Sequence, residues 1–341
     1  MDIAHARFRT CLPSRCCRLA LVATLLAAGL AMSCARTVHQ RNAVHILTAD
    51  AVVNPVLEGY IDRGIDQAER TDAKAVVIKL DTPGGLSSSM ERIVQRIQSA
   101  KLPVIVYVAP SGAKAASAGT FITMSAHVAA MAPGTSIGAA HPISSSGEDI
   151  PGTLGKKVEN NAAAYARSIA EQHGRNADWA ERAVRDSVSA PTSEAVEKHI
   201  VDFAADDVDA LLRQSDGRTV AVGGNAVTLS GLTSAPRISN GMTLLERLLL
   251  VLSDPNIAFL LLSLGGLGLA IELIHPGVFL PGVFGSISLI LAFFVLGTLP
   301  VNYAGVALVL LAFVLFTAEF YAGGVGVLGI GGAISLVAGG L

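Results

Sequence analysis

The chain has 341 residues, a formal net charge of −2 and a mean hydropathy of +0.53. This charge provides no basic footprint, so we expect no nucleic-acid partner. The charges are also unevenly distributed, because after Arg247 the only charged residues are Asp254, Glu272 and Glu319. The last 94 residues (341 − 247) contain no Lys or Arg, which is typical of a chain in a lipid bilayer.

The N-terminus predicts an export signal over residues 1–35. Four arginines between positions 7 and 18 precede the uncharged apolar run Leu19–Met32, and Ser33 and Ala35 form a small-x-small cleavage pattern. The alternatives are an uncleaved anchor helix, or cleavage after Ser33 with lipidation of Cys34.

The cysteines exclude several chemistries. All four lie at or before the predicted cleavage point: Cys11, Cys16, Cys17 and Cys34. The mature chain would therefore hold no disulfide, thiolate metal site or cysteine nucleophile. We expect no cofactor and no metal.

Short β-rich runs alternate with helical stretches in the first half of the chain. Strands are predicted over Val44–Leu47, Ala75–Leu80, Val104–Val108 and Val128–Met131. Helices are predicted over Pro55–Arg70 and Ser88–Ala100, and after a small-residue turn within Ser111–Ala126. This alternation predicts an α/β domain with a largely parallel sheet.

The predicted α/β domain extends over residues 36–222. A mobile loop is expected over Pro142–Gly155, because this stretch is rich in Ser, Gly and Pro. Helices Lys156–His173 and Ala177–Ser187, a helix start within Ser189–His199, and a strand over Ile200–Phe203 follow. Residues 223–256, with the polar, turn-rich stretch Gly223–Asn240, are predicted to be a linker.

Residues 257–341 predict an all-α transmembrane region of about four helices. The apolar segments are Ile257–Ile274, Val278–Leu299, Tyr303–Tyr321 and Val325–Leu341. Each approaches the ~20 residues needed to cross a hydrocarbon core. The last segment ends without a polar flank, from which we expect a truncated C-terminus.

Two small-residue turns are candidates for catalytic chemistry, with an ordinary strand-to-helix turn or simple helix-start packing as the alternative. In Asp81–Leu86, Gly84 and Gly85 follow a buried strand and precede a helix, where bare N–H groups can face an oxyanion. In Gly112–Gly119, Ser117 lies at the next strand-to-helix turn, with small neighbours that leave its hydroxyl accessible. The N–H of Ala118 is a second candidate oxyanion donor, as in a nucleophile elbow.

A serine hydroxyl is a weak nucleophile and needs a base. His141, at the edge of the predicted loop, is one candidate. Lys156 and Lys157, which open the helix beyond that loop, are the others. A lysine acts as a base only where burial lowers its pKa and no carboxylate raises it.

Four ordered motifs resemble the long-form NfeD membrane proteases, the stomatin-operon partner proteins related to the Clp protease and signal peptide peptidase A. The motifs are Leu80–Leu86, Ala115–Thr120, Gly134–Ala139 and His173–Asn176, and the resemblance covers nearly everything after Ala43, including Pro300–Gly305. It implies a Clp protease/crotonase-like spiral domain followed by the transmembrane region. Long forms continue into a small soluble β-barrel domain that this sequence lacks.

The resemblance also implies a mechanism. The nucleophile falls on Ser117, the base on Lys157 rather than Lys156, and the oxyanion donors on Gly84 or Gly85 and on Ala118. Because His141-Pro142 resembles the catalytic histidine site of the Clp protease, a Ser117–His141 pair is the alternative.

The expected protein is therefore a membrane-anchored serine endopeptidase with a Ser-Lys dyad. It would cleave apolar segments, such as the tail of a stomatin-like membrane protein, as a homodimer or higher oligomer. We expect a multi-pass inner-membrane protein whose protease domain is periplasmic. The rival functions are a non-catalytic scaffold for a stomatin-like partner and an acyl-CoA enzyme, although export argues against the latter.

Overall fold

A six-stranded parallel sheet is the centre of the N-terminal domain. The structure, a computed structural model, describes residues 41–144, 147–275, 279–296, 303–322 and 326–340. The predicted export signal, 1–35, lies outside the described residues. The strand order across the sheet is β11 (Arg237–Ser239), β1 (Val44–Asp50), β2 (Ala75–Asp81), β3 (Val104–Val108), β5 (Val128–Met131) and β8 (Phe203–Ala204). Every neighbouring pair is parallel.

The described strands are β1 (Val44–Asp50), β2 (Ala75–Asp81), β3 (Val104–Val108), β4 (Lys114–Ala116), β5 (Val128–Met131), β6 (Ser136–Gly138), β7 (Ser189–Pro191), β8 (Phe203–Ala204), β9 (Thr219–Val222), β10 (Asn225–Thr228) and β11 (Arg237–Ser239). The described helices are α1 (Pro55–Arg70), α2 (Ser87–Gln98), α3 (Ala118–Met124), α4 (Gly152–Gln172), α5 (Ala177–Arg185), α6 (Thr192–Glu197), α7 (Val208–Ser215), α8 (Leu244–Leu252), α9 (Pro255–Ile274), α10 (Leu280–Leu296), α11 (Tyr303–Tyr321) and α12 (Val327–Gly340).

The sheet is buried on both faces, which explains its nearly continuous apolar strands. All five residues of β3 are buried, and two clusters of buried side chains cover the sheet. Parallel strands covered by helices on both faces lose the polar alternation of a solvated sheet. The predicted α/β domain with a largely parallel sheet, followed by apolar helices, is confirmed.

The segment from 223 to 256, predicted as a linker, contains regular structure. It holds β10, which pairs with β9, and the short helix α8. It also contributes β11, which pairs in parallel with β1 at the edge of the main sheet. The predicted strand Ile200–Phe203 lies later in the structure, as β8.

Four apolar helices follow the α/β domain, as two consecutive hairpins, α9–α10 and α11–α12. Asn256–Ile274 and Ala304–Tyr321 are long and apolar enough to span a membrane, whereas the apolar parts of α10 and α12 are shorter. About four spans were expected, and two of the four helices described in this region are long enough to span a membrane.

The two hairpins are copies of one unit, a feature that our sequence analysis missed. Glu272 and Ile287-Ser-Leu289 recur 47 residues later (319 − 272) as Glu319 and Ile334-Ser-Leu336. Helix bounds repeat at the same interval, since α9 and α11 end at Ile274 and Tyr321.

The packing inside each hairpin repeats as well. A Cβ on Gly285 would lie 2.8 Å from the carbonyl oxygen of Gly265, and one on Gly332 would lie 3.1 Å from that of the equivalent Ala312. Both hairpins therefore close through a glycine facing a backbone carbonyl, the close approach that small residues permit between membrane helices.

Candidate active site

Ser117 lies on a strained turn between β4 and α3. Its φ of 51° and ψ of −115° are unusual for a residue with a side chain, and such conformations cost about 1–3 kcal/mol. The surrounding backbone holds it there, because the Ser117 N–H donates to Gly138 O at 2.9 Å and the Thr120 N–H donates to Ser117 O at 2.9 Å. The strain exposes the hydroxyl at the start of the helix, as in a nucleophile elbow.

Thr120, which our sequence analysis did not single out, secures this turn. Its buried Oγ1 lies 3.0 Å from Ala115 O and 3.1 Å from Gly138 O, and it accepts the Gly138 N–H at 3.1 Å. One hydroxyl therefore joins β4, β6 and α3. A lone Thr inside a helix gives no sequence signal for this role, because the partners are 5 and 18 residues away.

The structure brings Gly84 against Ser117. Gly84 has a φ of 116°, and a Cβ there would lie 2.7 Å from Ser117 Cβ and 3.2 Å from Ser117 Oγ. The Gly84 N–H donates to Thr82 Oγ1 at 3.2 Å, so this group is already used within the turn.

Gly85 and Ala118 provide free backbone donors beside Ser117. Gly85 has a φ of 153°, and a Cβ there would overlap the carbonyl of Val53. Within the described part of the chain, neither the Gly85 N–H nor the Ala118 N–H has a hydrogen-bond acceptor. The Ala118 N–H also belongs to the first turn of α3, where the helix dipole favours negative charge.

A cavity of about 100 Å³ opens beside Ser117. It is lined by Gly85, Ser87, Met90, Glu91, Ser117, Ala118, Phe121, Ala140, Pro142, Val158, Asn161, Ala162 and Tyr165. The rings of Phe121 and Tyr165 stack with centroids 5.9 Å apart, which gives the cavity an apolar wall. Burial, with a smaller effect of the Glu91 carboxylate, raises the pKa of Tyr165 to about 12, so its phenol stays neutral at physiological pH.

The candidate lysines lie near the start of α4. Lys156 and Lys157 are both exposed, and neither lines the cavity. The residues of α4 that do line it, Val158, Asn161, Ala162 and Tyr165, form one helical stripe. At ~100° per residue, Lys157 lies about 90° to one side of this stripe, whereas Lys156 lies on the opposite face.

No proton acceptor is hydrogen-bonded to the serine within the described residues. Ser117 Oγ has no hydrogen-bond partner there, and the Lys157 amine has neither a hydrogen bond nor an ion pair. Catalytic hydrogen bonds are often long or absent until substrate binds. Ser117 and the free N–H groups thus lie together, whereas Lys157, the predicted base, lies to one side of the α4 stripe that faces the cavity.

His141 is turned away from the cavity. Its Nδ1 lies 3.0 Å from Val184 O and its Nε2 lies 3.7 Å from the Asp149 carboxylate. Its neighbours Ala140 and Pro142 line the cavity, but His141 does not. The His141 Nδ1 is therefore engaged away from Ser117, and its Nε2 faces Asp149.

The His173–Asn176 motif contacts the C-terminal end of α3, the helix that begins beside Ser117. The buried Arg175 guanidinium donates to Met124 O at 2.7 Å, at the last turn of α3, and to Asp202 Oδ2 at 3.0 Å. A cation at a helix C-terminus compensates the dipole of the helix whose first turn follows Ser117. Burial lowers the pKa of His173 to about 4, with smaller effects of the Arg175 charge and of His127.

His127 is held in its neutral form. Its Nδ1 accepts the Val104 N–H at 3.1 Å, and burial lowers its pKa to about 4. Among the residues that the structure describes, no group of three or more His, Cys, Asp or Glu side chains could hold a metal ion.

Two family models match the chain. The N-terminal domain of NfeD1b matches residues 43–223, and the NfeD integral membrane domain matches residues 256–341. The membrane-bound protease PH1510 of Pyrococcus horikoshii is 38% identical over 306 residues, a match that covers 88% of this chain and 69% of that protein.

Solved structures of a relative match the N-terminal domain. The 1510-N membrane-bound stomatin-specific protease, as a Lys-to-Ala variant with a substrate peptide, matches with a TM-score of 0.58 and 37% identity, over 62% of this chain and 97% of that one. Its Ser-to-Ala variant matches with a TM-score of 0.55 and 39% identity, over 58% and 97% of the two chains. The resemblance seen in the sequence is confirmed: the chain is a membrane protein of the NfeD family.

Proposed function

We propose that the chain is a membrane-bound serine endopeptidase in which Ser117 attacks the peptide carbonyl and Lys157 is the general base. The observation that carries this proposal is the strained turn at Ser117, which lies between two unused backbone N–H groups. Strained residues cluster at active sites, where the strain holds a reactive side chain in one orientation.

The Gly85 and Ala118 N–H groups would bind the oxyanion of the tetrahedral intermediate. Donors that are fixed before the reaction stabilise developing charge without reorganising, and each is typically worth ~10²–10³ in rate. Gly84 has a different task in this proposal. It leaves space for the Ser117 side chain, because its own N–H is committed to Thr82.

Lys157 would reach the serine when substrate fills the cleft. It lies on the flank of the stripe that faces the cavity, and no carboxylate pairs with it in the described structure. A bound peptide that excludes water from the first turns of α4 would favour the neutral amine. Lys156, on the far face of the helix, cannot take this role without a rotation of α4.

The walls of the cavity favour apolar substrates. Met90, Phe121 and Tyr165 offer carbon surface beside the nucleophile. Since the 1510-N relative is described as stomatin-specific, we extend this proposal to a segment of a stomatin-like membrane protein as the substrate and partner. A homodimer or higher oligomer and a periplasmic protease domain complete the proposal.

Cleavage of an apolar peptide by the purified full chain tests the dyad. Ser117→Ala should lower kcat/KM by about 10⁴–10⁶-fold, and Lys157→Met should have a comparable effect, because a serine without its base is nearly inert. Lys156→Met and His141→Gln are the matched controls and should stay within about threefold of the wild type. Full activity of Lys157→Met, or loss of activity in His141→Gln alone, would contradict the dyad.

A non-catalytic scaffold is the second candidate. It is favoured by one observation, that no base is hydrogen-bonded to Ser117 Oγ in the described structure. If the wild type and Ser117→Ala both leave the peptide intact while binding a stomatin-like partner equally, the scaffold replaces the protease.

A further inference from the structure

Helix α8 presents an apolar face that nothing in the described protein covers. Leu244, Leu245, Leu248 and Val251 are 86%, 64%, 53% and 59% exposed, and no residue of α8 is buried. Their spacing of i, i+1, i+4 and i+7 places them on one side of the helix. Exposing four large aliphatic side chains to water is unfavourable, at ~25 cal/mol per Å² of apolar surface.

The other side of α8 is fixed to the α/β domain. Glu246 forms a bidentate ion pair with Arg63 of α1, with both N–O distances 2.7 Å. Thr243 and Glu246 also form a capping box at the first turn of α8. Bidentate pairs between Arg and carboxylate fix geometry as well as distance. The orientation of the leucine face relative to the α/β domain is therefore set.

The connection to the membrane domain is too short to allow α8 to lie far from the bilayer. Only Ser253 and Asp254 separate the end of α8 from α9, which contains the candidate span Asn256–Ile274. Two extended residues reach at most ~7 Å, and three Cα–Cα steps about 11 Å. The C-terminal end of α8 must accordingly lie at the surface of the membrane that α9 enters.

We propose that α8 lies in the interfacial layer of the lipid bilayer, with Leu244, Leu245, Leu248 and Val251 facing the acyl chains. The Arg63–Glu246 ion pair then holds the α/β domain in one orientation above the membrane. A short amphipathic helix binds membranes weakly when free. Here the adjoining span supplies a high effective concentration, so little intrinsic affinity is needed.

The size of the face favours lipid over a second copy of the chain. Four side chains on a nine-residue helix offer less than the ~800 Å² that each partner contributes to a standard-size protein–protein interface. The face is also continuous in sequence with a domain of the integral membrane class. This inference depends on the membrane domain and not on the proposed catalytic function.

Site-specific labelling of the full chain in nanodiscs tests the proposal. In a background with the four native cysteines replaced by serine, Leu248→Cys carries an environment-sensitive fluorophore, and Arg213→Cys on α7 is the control. Both positions are exposed, so labelling should not disturb the fold. Lipids with brominated acyl chains should quench the label on α8 several-fold more than the label on α7.

Equal quenching at the two positions would overturn the proposal. Cross-linking between two Leu248→Cys chains without extra lipid quenching would overturn it in favour of a dimer. A second measurement tests the ion pair: Arg63→Met should lower the fluorescence anisotropy of the α7 label in nanodiscs. Arg92→Met breaks a different ion pair of α1, the one between Arg92 of α2 and Glu58 of α1, and should leave the anisotropy unchanged. An unchanged anisotropy in Arg63→Met would show that the Arg63–Glu246 ion pair does not orient the α/β domain.

Discussion

Glycine has different tasks in the α/β domain and in the membrane hairpins. Near Ser117, Gly84 and Gly85 adopt φ angles of 116° and 153°, which side chains rarely allow. In the hairpins, Gly265 and Gly285 lie inside regular helices, and a Cβ on Gly285 would meet the backbone of the neighbouring helix. The first pair is needed both for the shape of a turn and for the space beside Ser117 and Val53, whereas the second pair is needed only for the absence of volume.

The solvent explains this difference. In water, burial of side chains drives the packing of α/β domains, and glycine remains where the backbone must bend. Between lipid-embedded helices there is no such driving force, so close backbone contact contributes more. Substitutions should therefore affect catalysis in one region and helix association in the other.

Among the substitutions that test this comparison, Gly84→Ala should have the largest effect. A methyl group there would lie 2.7 Å from Ser117 Cβ and would face an unfavourable φ of 116°. We expect peptide cleavage to fall by at least about 10³-fold, because Ser117 and the proposed oxyanion donors are displaced together. Fluorescence of Trp179, the only tryptophan, would report whether the domain still folds.

Gly112→Ala is the matched control. Its φ is also positive, at 89°, but a Cβ there meets nothing within 4 Å. It should cost roughly 1 kcal/mol of stability and leave cleavage nearly unchanged. Equal losses of activity in both variants would show that strain, rather than the contact with Ser117, decides the outcome.

Acid should destabilise the α/β domain next most strongly. The pKa of both His127 and His173 falls from 6.5 to about 4 in the folded protein because of burial. The unfolded chain then binds more protons, so stability decreases as the pH falls from about 6.5 to about 4 and levels off below. Each histidine contributes up to ~3 kcal/mol.

Urea unfolding followed by Trp179 fluorescence measures this dependence. His173→Asn should make the slope between pH 6.5 and pH 4 shallower. If the slope is the same in the variant, acid acts elsewhere in the domain.

A smaller effect is expected from Gly285→Ala in the first hairpin. The new methyl group would lie 2.8 Å from Gly265 O, and overpacking of this kind typically costs about 1–3 kcal/mol. Thermal loss of helicity in detergent should shift to lower temperature, while cleavage of a soluble peptide should persist. Gly331→Ala, whose Cβ would lie 3.7 Å from Leu315, should behave like the wild type. Loss of peptide cleavage in Gly285→Ala would contradict the assignment of catalysis to the α/β domain and of helix association to the hairpins.

The smallest effect is expected at the start of α1. Asn54 Oδ1 accepts the N–H groups of Val56 and Leu57 at 3.1 and 2.9 Å, and removal of such a cap costs ~1 kcal/mol. Asn54→Ala should lower the urea midpoint of the Trp179 transition by a corresponding amount. The exposed Gln95→Ala in α2 should change stability by less than about 0.5 kcal/mol. A larger loss in the control would mean that the helix surface, not the cap, limits stability.

Local signals predicted much of the α/β domain. Pro55–Arg70 and Val104–Val108 have the predicted bounds, since one begins at a proline after a capping residue and the other is a short apolar run. In contrast, β11 was assigned to a linker. Its three residues include one apolar side chain, Ile238, which is too short a pattern to predict a strand, and its partner β1 is almost 200 residues away in sequence.

The candidate site was predictable only in part. The turns of Gly84 and Ser117 follow neighbouring elements at the carboxyl edge of a parallel sheet, so their proximity could be inferred. The geometry around Lys157 could not, because it depends on a loop with no periodicity. Tyr165 and Thr120 gave no signal, because their roles arise from contacts across the fold.

The duplicated hairpin gives the membrane domain an internal replicate. Equivalent positions of the two hairpins, such as Gly285 and Gly332 or Glu272 and Glu319, have different neighbours. A change made at either copy can be compared with its twin in one molecule, under one set of conditions. What the two positions share reflects the repeated unit, and any difference between them measures the effect of their different surroundings.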